Sequence, residues 1–349
     1  MINQLPNDRV YIIAEAGSNW RQGTAQRDLA MAKELIDAAV EAQADAIKFQ
    51  TFRAETVYSA HAGMVGYLRE SCPQEDIHSI FRDLAMPYEM LPELAAYSRR
   101  KGIDFLSSPF SKEDFHAVDP YVSVHKIASY EISHLRLIEL AAHSGKPLLL
   151  STGASVEEDI AWAVDHFHSC GGAQLILMQC TLKYPTPSNE VNLQVLTWLQ
   201  SRFGCVVGLS DHSRDPVVAP VAAVALGARV IEKHFTLHNR LPGPDHNWAI
   251  TADELKELVR SVRTAEQMVG SSHKCITPSE QEMFDFGRRR VQAVRDIRAG
   301  DLFQEGGNVD ILRPGNQKKG VHPKFLSALK GRVAKRDIAI GEGIQEGDW

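Results

Sequence analysis

Eight short apolar runs in this chain end on side chains that can do chemistry. In chain order these are Glu15; Lys48 and Gln50; Ser107 and Ser108; Lys126, Ser129 and Glu131; Ser151 and Thr152; Thr181 and Tyr184; Ser210, Asp211 and His212; and Lys233 and His234. Buried parallel strands read as unbroken apolar runs, so polar residues closing nearly every one form a pattern rather than an accident. His212 and His234 close successive runs. Each alone reads as a hydrogen-bonded core or rim histidine; together, on neighbouring strands, they are within reach of one divalent cation. Two protein ligands would leave positions open for water and substrate, as a Lewis-acid site requires. Lys48 and Lys126 each follow an apolar run. One such lysine snorkels to a rim, whereas two entering one mouth beside Ser108 and Ser129 make a clamp for a phosphate or carboxylate. Glu15 and Glu131 read either as acid–base or hydroxyl-binding carboxylates or as salt-bridge partners of those lysines. Cys180 has no flanking base and reads as a small buried hydrophobe. The stiff turn Leu241-Pro242-Gly243-Pro244-Asp245 either merely connects or places Asp245. No phosphate-binding glycine loop follows the first run, which argues against a nucleotide cofactor.

The elements that must position these residues alternate regularly. Strands are expected at Val10–Ala14, Ala46–Phe49, Asp104–Ser107, Val122–Ile127, Pro147–Ser151, Gln174–Gln179, Val206–Gly208 and Arg229–Glu232. Between them lie Ala- and Leu-rich segments with helical spacing, such as Arg27–Ala42, Leu91–Lys101 and Ser155–His168. Eight strands with eight helices in about 270 residues predict a (β/α)8 TIM barrel, with a doubly wound open sheet as the competitor. Arg53–Met86 breaks the rhythm as a lid or loop excursion. Chemistry in such a barrel gathers where the strands end.

Composition changes after Gly270. The expected organisation is a catalytic barrel over 1–270, a linker over 271–287 and a small β-rich domain over 288–349. The last contains an echo, Asp296-Ile297-Arg298-Ala299-Gly300-Asp301 and Asp337-Ile338-Ala339-Ile340-Gly341-Glu342, that suggests internal pseudo-symmetry. The whole chain has 349 residues, 44% apolar and 23% charged, an ordinary globular balance. A net charge of −6 argues against a general nucleic-acid or anionic-membrane binder. Five dispersed cysteines without a C-x-x-C pair fit a reducing cytoplasm rather than a disulfide framework. The opening residues Met1–Asp8 show no signal peptide, and the longest apolar stretch, Val217–Ile231, is broken by Pro220 and Gly227 and too short for a membrane span.

These residues also carry a resemblance. Ile13-Ala14-Glu15-Ala16-Gly17, Ile47-Lys48-Phe49-Gln50, Lys126-Ile127-Ala128-Ser129-Tyr130-Glu131, Tyr184-Pro185-Thr186-Pro187, Gly208-Leu209-Ser210-Asp211-His212-Ser213, Glu232-Lys233-His234-Phe235-Thr236 and Leu312-Arg313-Pro314-Gly315-Asn316 occur in an order that resembles the sialic acid (N-acetylneuraminate) synthase family. The resemblance covers nearly the whole chain. It implies a TIM barrel followed by an antifreeze-like SAF domain of the β-clip kind. It also implies a transferase that condenses phosphoenolpyruvate with an open-chain N-acyl hexosamine and releases phosphate. By the same resemblance His212 and His234 hold manganese, with magnesium or cobalt as substitutes. Lys48, Ser108, Lys126, Ser129 and Ser210 line the phosphoenolpyruvate site, and Glu15, Gln50, Tyr184 and Asp245 contact the sugar. Glu131 lies near the developing charge, and a domain-swapped homodimer brings Arg313 of one chain to the sugar of the other. The alternatives are a related phosphoenolpyruvate-dependent 3-deoxy-ketoacid synthase using a sugar phosphate, and a non-catalytic carbohydrate-binding barrel. Two departures stand out: Trp20 replaces a histidine common in the family, and Leu182 replaces an asparagine that some members use toward phosphoenolpyruvate.

Overall fold

The computed structural model describes residues 9–63 and 76–349. Two compact units divide the chain, one ending at Gly270 and the other running from Ser271 to Trp349. The first is built on parallel strands β1 (Tyr11–Gly17), β2 (Ala46–Thr51), β3 (Asp104–Pro109), β4 (His125–Ile127), β5 (Leu148–Ser151), β6 (Leu175–Cys180), β7 (Val206–Asp211) and β8 (Val230–Thr236). Hydrogen-bonded neighbours run in the order β3-β2-β1-β8-β7-β6-β5-β4, and β3 packs beside β4. The β1–β8 ladder decides the architecture, because it joins the first strand to the last. An open doubly wound sheet never makes that pairing; this unit is a TIM barrel.

Helices cover the outside. In α1 (Ala25–Glu41), Met31, Ala32, Leu35, Ile36 and Ala39 recur at three- and four-residue intervals and are buried, forming one apolar stripe. Each fully buried Leu or Ile of this kind contributes roughly 1.5–3 kcal/mol relative to exposure. The helix Met90–Lys101 stops at Gly102, whose φ of 77° lies in the left-handed region that glycine enters without a Cβ penalty. The excursion expected over Arg53–Met86 is partly outside the described residues, since 64–75 are not among them. Its described ends carry two short helices, α2 (Ala54–Val57) and α3 (Ile77–Leu84). The reading of the first eight residues and Cys72 also lie outside the described residues. No described helix is long and apolar enough to cross a membrane.

Six strands, β1, β2, β3, β6, β7 and β8, end later than expected. β7 continues through Ser210 and Asp211, and β8 through Lys233, His234 and Thr236. Apolar patterning fades toward the charged ends of both. The backbone continues as strand, because these charges find partners inside the fold: Lys233 Nζ donates to Asp211 Oδ2 at 2.6 Å. β4 is shorter than the six residues expected and begins only at His125.

The second unit, by itself, holds a helix over Gln281–Gly287 within the stretch read as a linker, and an antiparallel pair, β10 with Arg290–Ala293 and β11 with Val309–Leu312 (β9, Ile250–Thr251, extends β8 in the barrel). Val291, Ile297, Phe303, Val309, Leu329, Ile338 and Ile344 form its core. The sequence echo has a structural counterpart. Ile297 and Ile338 exchange both backbone hydrogen bonds, at 2.9 and 2.8 Å. Asp296 accepts from Ile340 N and Asp337 from Ala299 N, each at 2.8 Å. Each copy of the motif closes the turn of the other.

Candidate active site

Strand parity selects the residues that face the mouth of the barrel. Side chains alternate faces along a strand, so Lys48 and Gln50 of β2, Ser210 and His212 at the end of β7, and Glu232 and His234 of β8 enter one cavity of about 660 Å³. The residues between them, Asp211 and Lys233, turn the other way and pair with each other at 2.6 Å. In the sequence both stood among the polar strand ends without an assigned role; parity turns them away from the cavity. Glu15, Ser108, Lys126, Ser129, Glu131, Tyr184 and Asp245 line the same cavity. Arg313 is an exposed residue of the second unit.

The floor is an ionic cluster almost free of solvent. Lys48 Nζ lies 2.7 Å from Glu15 Oε2 and 3.6 Å from Glu232 Oε1, and donates to Ser108 Oγ at 3.2 Å. Lys126 Nζ lies 3.5 Å from the same Glu232 oxygen. That oxygen also accepts from Ser210 Oγ at 3.2 Å, and Gln50 Nε2 donates to Glu15 Oε1 at 3.0 Å. Burial opposes the charge on Lys48, but Glu15 and Glu232 outweigh it and raise its pKa. Burial also works against the Glu232 carboxylate, and Lys126 and Lys48 overcome it. Lys126, with one carboxylate at 3.5 Å, is pulled down by burial. Burial lifts Glu15 to about 7 even though Lys48 opposes it. Ammonium groups held out of water are costly unless paired.

Across the mouth, the rings of His212 and His234 lie 5.4 Å apart between centroids. Tyr184 stacks at 4.2 Å from His212, and Trp248 packs at 4.7 Å from His234. His212 Nδ1 is 2.9 Å from the Thr181 carbonyl; donating there makes Nε2 the acceptor nitrogen, as an oriented metal ligand requires, with Cys180 Sγ 4.0 Å from it. His234 Nδ1 is buried without a hydrogen-bond partner and lies 4.0 Å from Asp245 Oδ2. Burial, reinforced by His212 and by Lys48, Lys126 and Lys233, drives the His234 pKa far down, so its imidazole is neutral. Burial opposes protonation of His212 as well, but Cys180, the Thr181 carbonyl and Asp211 together raise it. This donor set fits a divalent cation held by two imidazoles. Among the described residues no third His, Cys, Asp or Glu completes a closed cage, so the set is of the open kind. Cys180, read from sequence as a buried hydrophobe, lines the cavity with Sγ 3.8 Å from His212 Nδ1.

The rim adds carboxylates. Ser129–Glu131 form a single 3-10 turn after β4; burial lifts Glu131 to about 7 and Asp245 to about 6. Gly17 takes φ +52°, and a Cβ there would stand 3.3 Å from Asp245 Oδ2 and 3.4 Å from Gln50 Nε2. Glycine therefore lets Glu15, Gln50 and Asp245 converge. Of the two departures, Leu182 lines the cavity, whereas Trp20 lies in the core with its indole Nε1 unpartnered. Sequence reading missed Glu232 and Trp248. Glu232 was detectable, because it stands two residues before His234 and shares its face. Trp248 follows a proline-rich turn and carried no signal.

Comparison with known proteins agrees with this geometry. Residues 35–274 match the NeuB family and residues 288–348 a SAF domain. The chain is 39% identical to the spore coat polysaccharide biosynthesis protein SpsE of Bacillus subtilis, over 96% of this chain and 92% of that one. It is 34% identical to the pseudaminic acid synthase of Campylobacter jejuni, over 98% and 97%. The crystal structure of N-acetylneuraminic acid (sialic acid) synthetase from Leptospira borgpetersenii superposes with a TM-score of 0.72 at 30% identity, covering 82% of this chain and 95% of that one. A barrel whose mouth unites two buried lysines, two facing histidines and four carboxylates, on a chain that these matches cover over most of its length, belongs to the NeuB family of sialic acid synthases and carries a SAF domain.

Proposed function

We propose that this protein condenses phosphoenolpyruvate with the aldehyde of an open-chain N-acyl hexosamine, releasing phosphate and forming a nonulosonic acid. The observation that carries the reading is the floor: Lys48 and Lys126, both buried, share one carboxylate, Glu232, in a cavity that also holds the histidine pair. Two ammonium groups so placed suit a small ligand with two anionic ends, and Ser108, Ser129 and Ser210 supply hydroxyls beside them. Gln50, Tyr184, Glu15 and Asp245 offer donors and acceptors to sugar hydroxyls. A divalent metal, manganese with magnesium or cobalt as substitutes, would be held by His212 and His234 and would supply Lewis acidity toward a carbonyl oxygen.

The protein's own groups account for the rest. Lysines that fix both ends of the enol phosphate aim its C3 at the aldehyde carbon and make the encounter effectively intramolecular. As that carbon–carbon bond forms, positive charge grows at C2. The Glu131 carboxylate, in a low-dielectric rim, favours that charge over the ground state. Water then adds to C2 and loses a proton, and the C2–O bond to phosphate breaks to give the 2-keto acid. In a swapped homodimer Arg313 of the partner subunit would meet the sugar; Arg313→Ala should then raise KM for the sugar and leave KM for phosphoenolpyruvate unchanged. Free cysteines at 170, 180, 205 and 275 are in keeping with a reducing cytoplasm.

The decisive experiment mixes the protein with phosphoenolpyruvate, a divalent metal and a panel of N-acylated aldoses, recording phosphate release and product mass. One acceptor should give equimolar phosphate and a product heavier than the sugar by pyruvic acid. Silence across the panel, with binding of phosphoenolpyruvate absent, would overturn the reading.

A further inference from the structure

The two histidines at the mouth are held in place by different means. His212 is tied by a hydrogen bond, with Nδ1 2.9 Å from the Thr181 carbonyl. His234 lacks such a tie: its Nδ1 is buried with no hydrogen-bond partner among the described residues. Asp245 Oδ2, at 4.0 Å, is beyond hydrogen-bonding distance. A histidine that ligates metal ordinarily gives its second ring nitrogen to a carboxylate, a carbonyl or water, which fixes the orientation of the ring. For His234 another contact has to do this.

That contact is aromatic. The Trp248 indole packs on the His234 ring, 4.7 Å between centroids at an interplanar angle of 56°. It also lies 4.9 Å from the Tyr184 ring and 6.2 Å from the His212 ring. Tyr184 meets His234 edge-on at 6.2 Å. All four separations fall in the range at which ring pairs attract. Trp248 is 7% exposed and is not among the described residues that line the cavity. The indole therefore backs the imidazoles and does not meet a ligand.

The chain fixes the indole in turn. Its Nε1 donates to the Pro244 carbonyl at 3.2 Å. Asn239 Nδ2 donates to the carbonyls of His246 and Ala249, which bracket Trp248, at 2.7 Å each. Thr236 Oγ1 and His246 Nδ1 share a hydrogen bond of 2.7 Å. Just beyond Trp248, β9 pairs with β8, Ile250 opposite Phe235 and Thr251 opposite Thr236. The turn that carries Trp248 is thus laced to the strand that carries His234, and rotating the His234 ring means displacing an anchored indole.

We infer that Trp248 is the positioning residue of His234: packing of its indole, in place of a hydrogen bond, aims the imidazole at the divalent cation. This rests on the proposed cation site and names what orients half of it. Trp248 touches no substrate in this account. Its loss acts on the cation, and the lysine floor that takes phosphoenolpyruvate does not feel it.

The test measures Mn2+ binding directly in the metal-stripped full-length protein, from the electron paramagnetic resonance signal of the free ion. Two controls accompany it: calorimetric binding of phosphoenolpyruvate without metal, and the unfolding temperature of the metal-free protein. Trp248→Leu should raise the Kd for Mn2+ by about 10–100-fold and leave the Kd for phosphoenolpyruvate unchanged. Trp248→Phe, which loses the Nε1 bond but keeps a ring, should recover most of the Mn2+ affinity. Trp248→Met makes the same comparison if the leucine variant does not fold. An unchanged Mn2+ Kd in the ringless variant overturns the inference. So does an equal loss of phosphoenolpyruvate binding, or a phenylalanine variant as weak as the leucine one, because either marks a general disturbance of the fold. Absence of Mn2+ uptake by the wild-type protein would overturn the cation site and this inference together, whereas wild-type uptake with an indifferent Trp248→Leu overturns this inference alone.

Discussion

Single residues in this site are defined by what burial does to them. Glu131 has no charged partner, and burial alone lifts its carboxyl to about 7. Its folded-state value lies above the ordinary 4.5, so folding favours the acid form. The associated stabilisation is complete below about pH 4.5 and is lost as pH rises through about 7. The reaction should show the opposite trend, because the carboxylate that favours a positive C2 forms only on the alkaline side. Turnover is expected to climb through about pH 7, and Glu131→Gln should abolish that limb and lower kcat by about 10²–10³. A variant that kept both the limb and the turnover would remove Glu131 from the role. The histidine pair makes a second expectation. Chelation should stop phosphate release and lower the unfolding temperature, with manganese, magnesium or cobalt restoring both. Metal at a hundredfold over its Kd stabilises by about 2.7 kcal/mol, and His212→Ala should lose that thermal increment even where turnover is too low to read.

At the scale of elements, the alternation of strand faces does most of the sorting. It brings Glu232 and His234 into the cavity and sends Lys233 out to Asp211, its partner at 2.6 Å. That pair is structural, and both groups are almost fully buried. Breaking it should destabilise the barrel by about 3–5 kcal/mol through the carboxylate left unpaired; urea unfolding of Lys233→Met would measure this, and a loss near zero would refute the account. In the second unit the crossing of two backbones is the constraint. A Cβ on Gly343 would collide with the Gly320 backbone, and one on Gly320 with the Val291 carbonyl. Gly343→Ala should therefore lower the unfolding temperature of that unit, read by the near-ultraviolet signal of Trp349, and leave the barrel transition in place.

For the molecule as a whole, the sequence was legible where one residue's environment follows from its neighbours in the chain. Eight apolar runs with helical segments between them predict buried parallel strands covered on the outside, and the pairing of β1 with β8 closes them into a barrel rather than an open sheet. The resemblance extended that reading to a SAF domain, and the repeated Asp-Ile motif was visible as a repeat before its reciprocal turn closures could be. Less legible were the strand ends, since apolar patterning stops where charge begins and cannot foresee that Lys233 will find Asp211.

What the chain alone determined was the alternation of strands and helices and the chemical kinds of groups at the strand ends, because periodicity and residue type are local properties. Tertiary structure decided which of those groups share a cavity, that Glu232 bridges both lysines and that Cys180 touches His212. Those outcomes depend on ring closure, register and burial, which join residues as distant in sequence as Glu15 and His234.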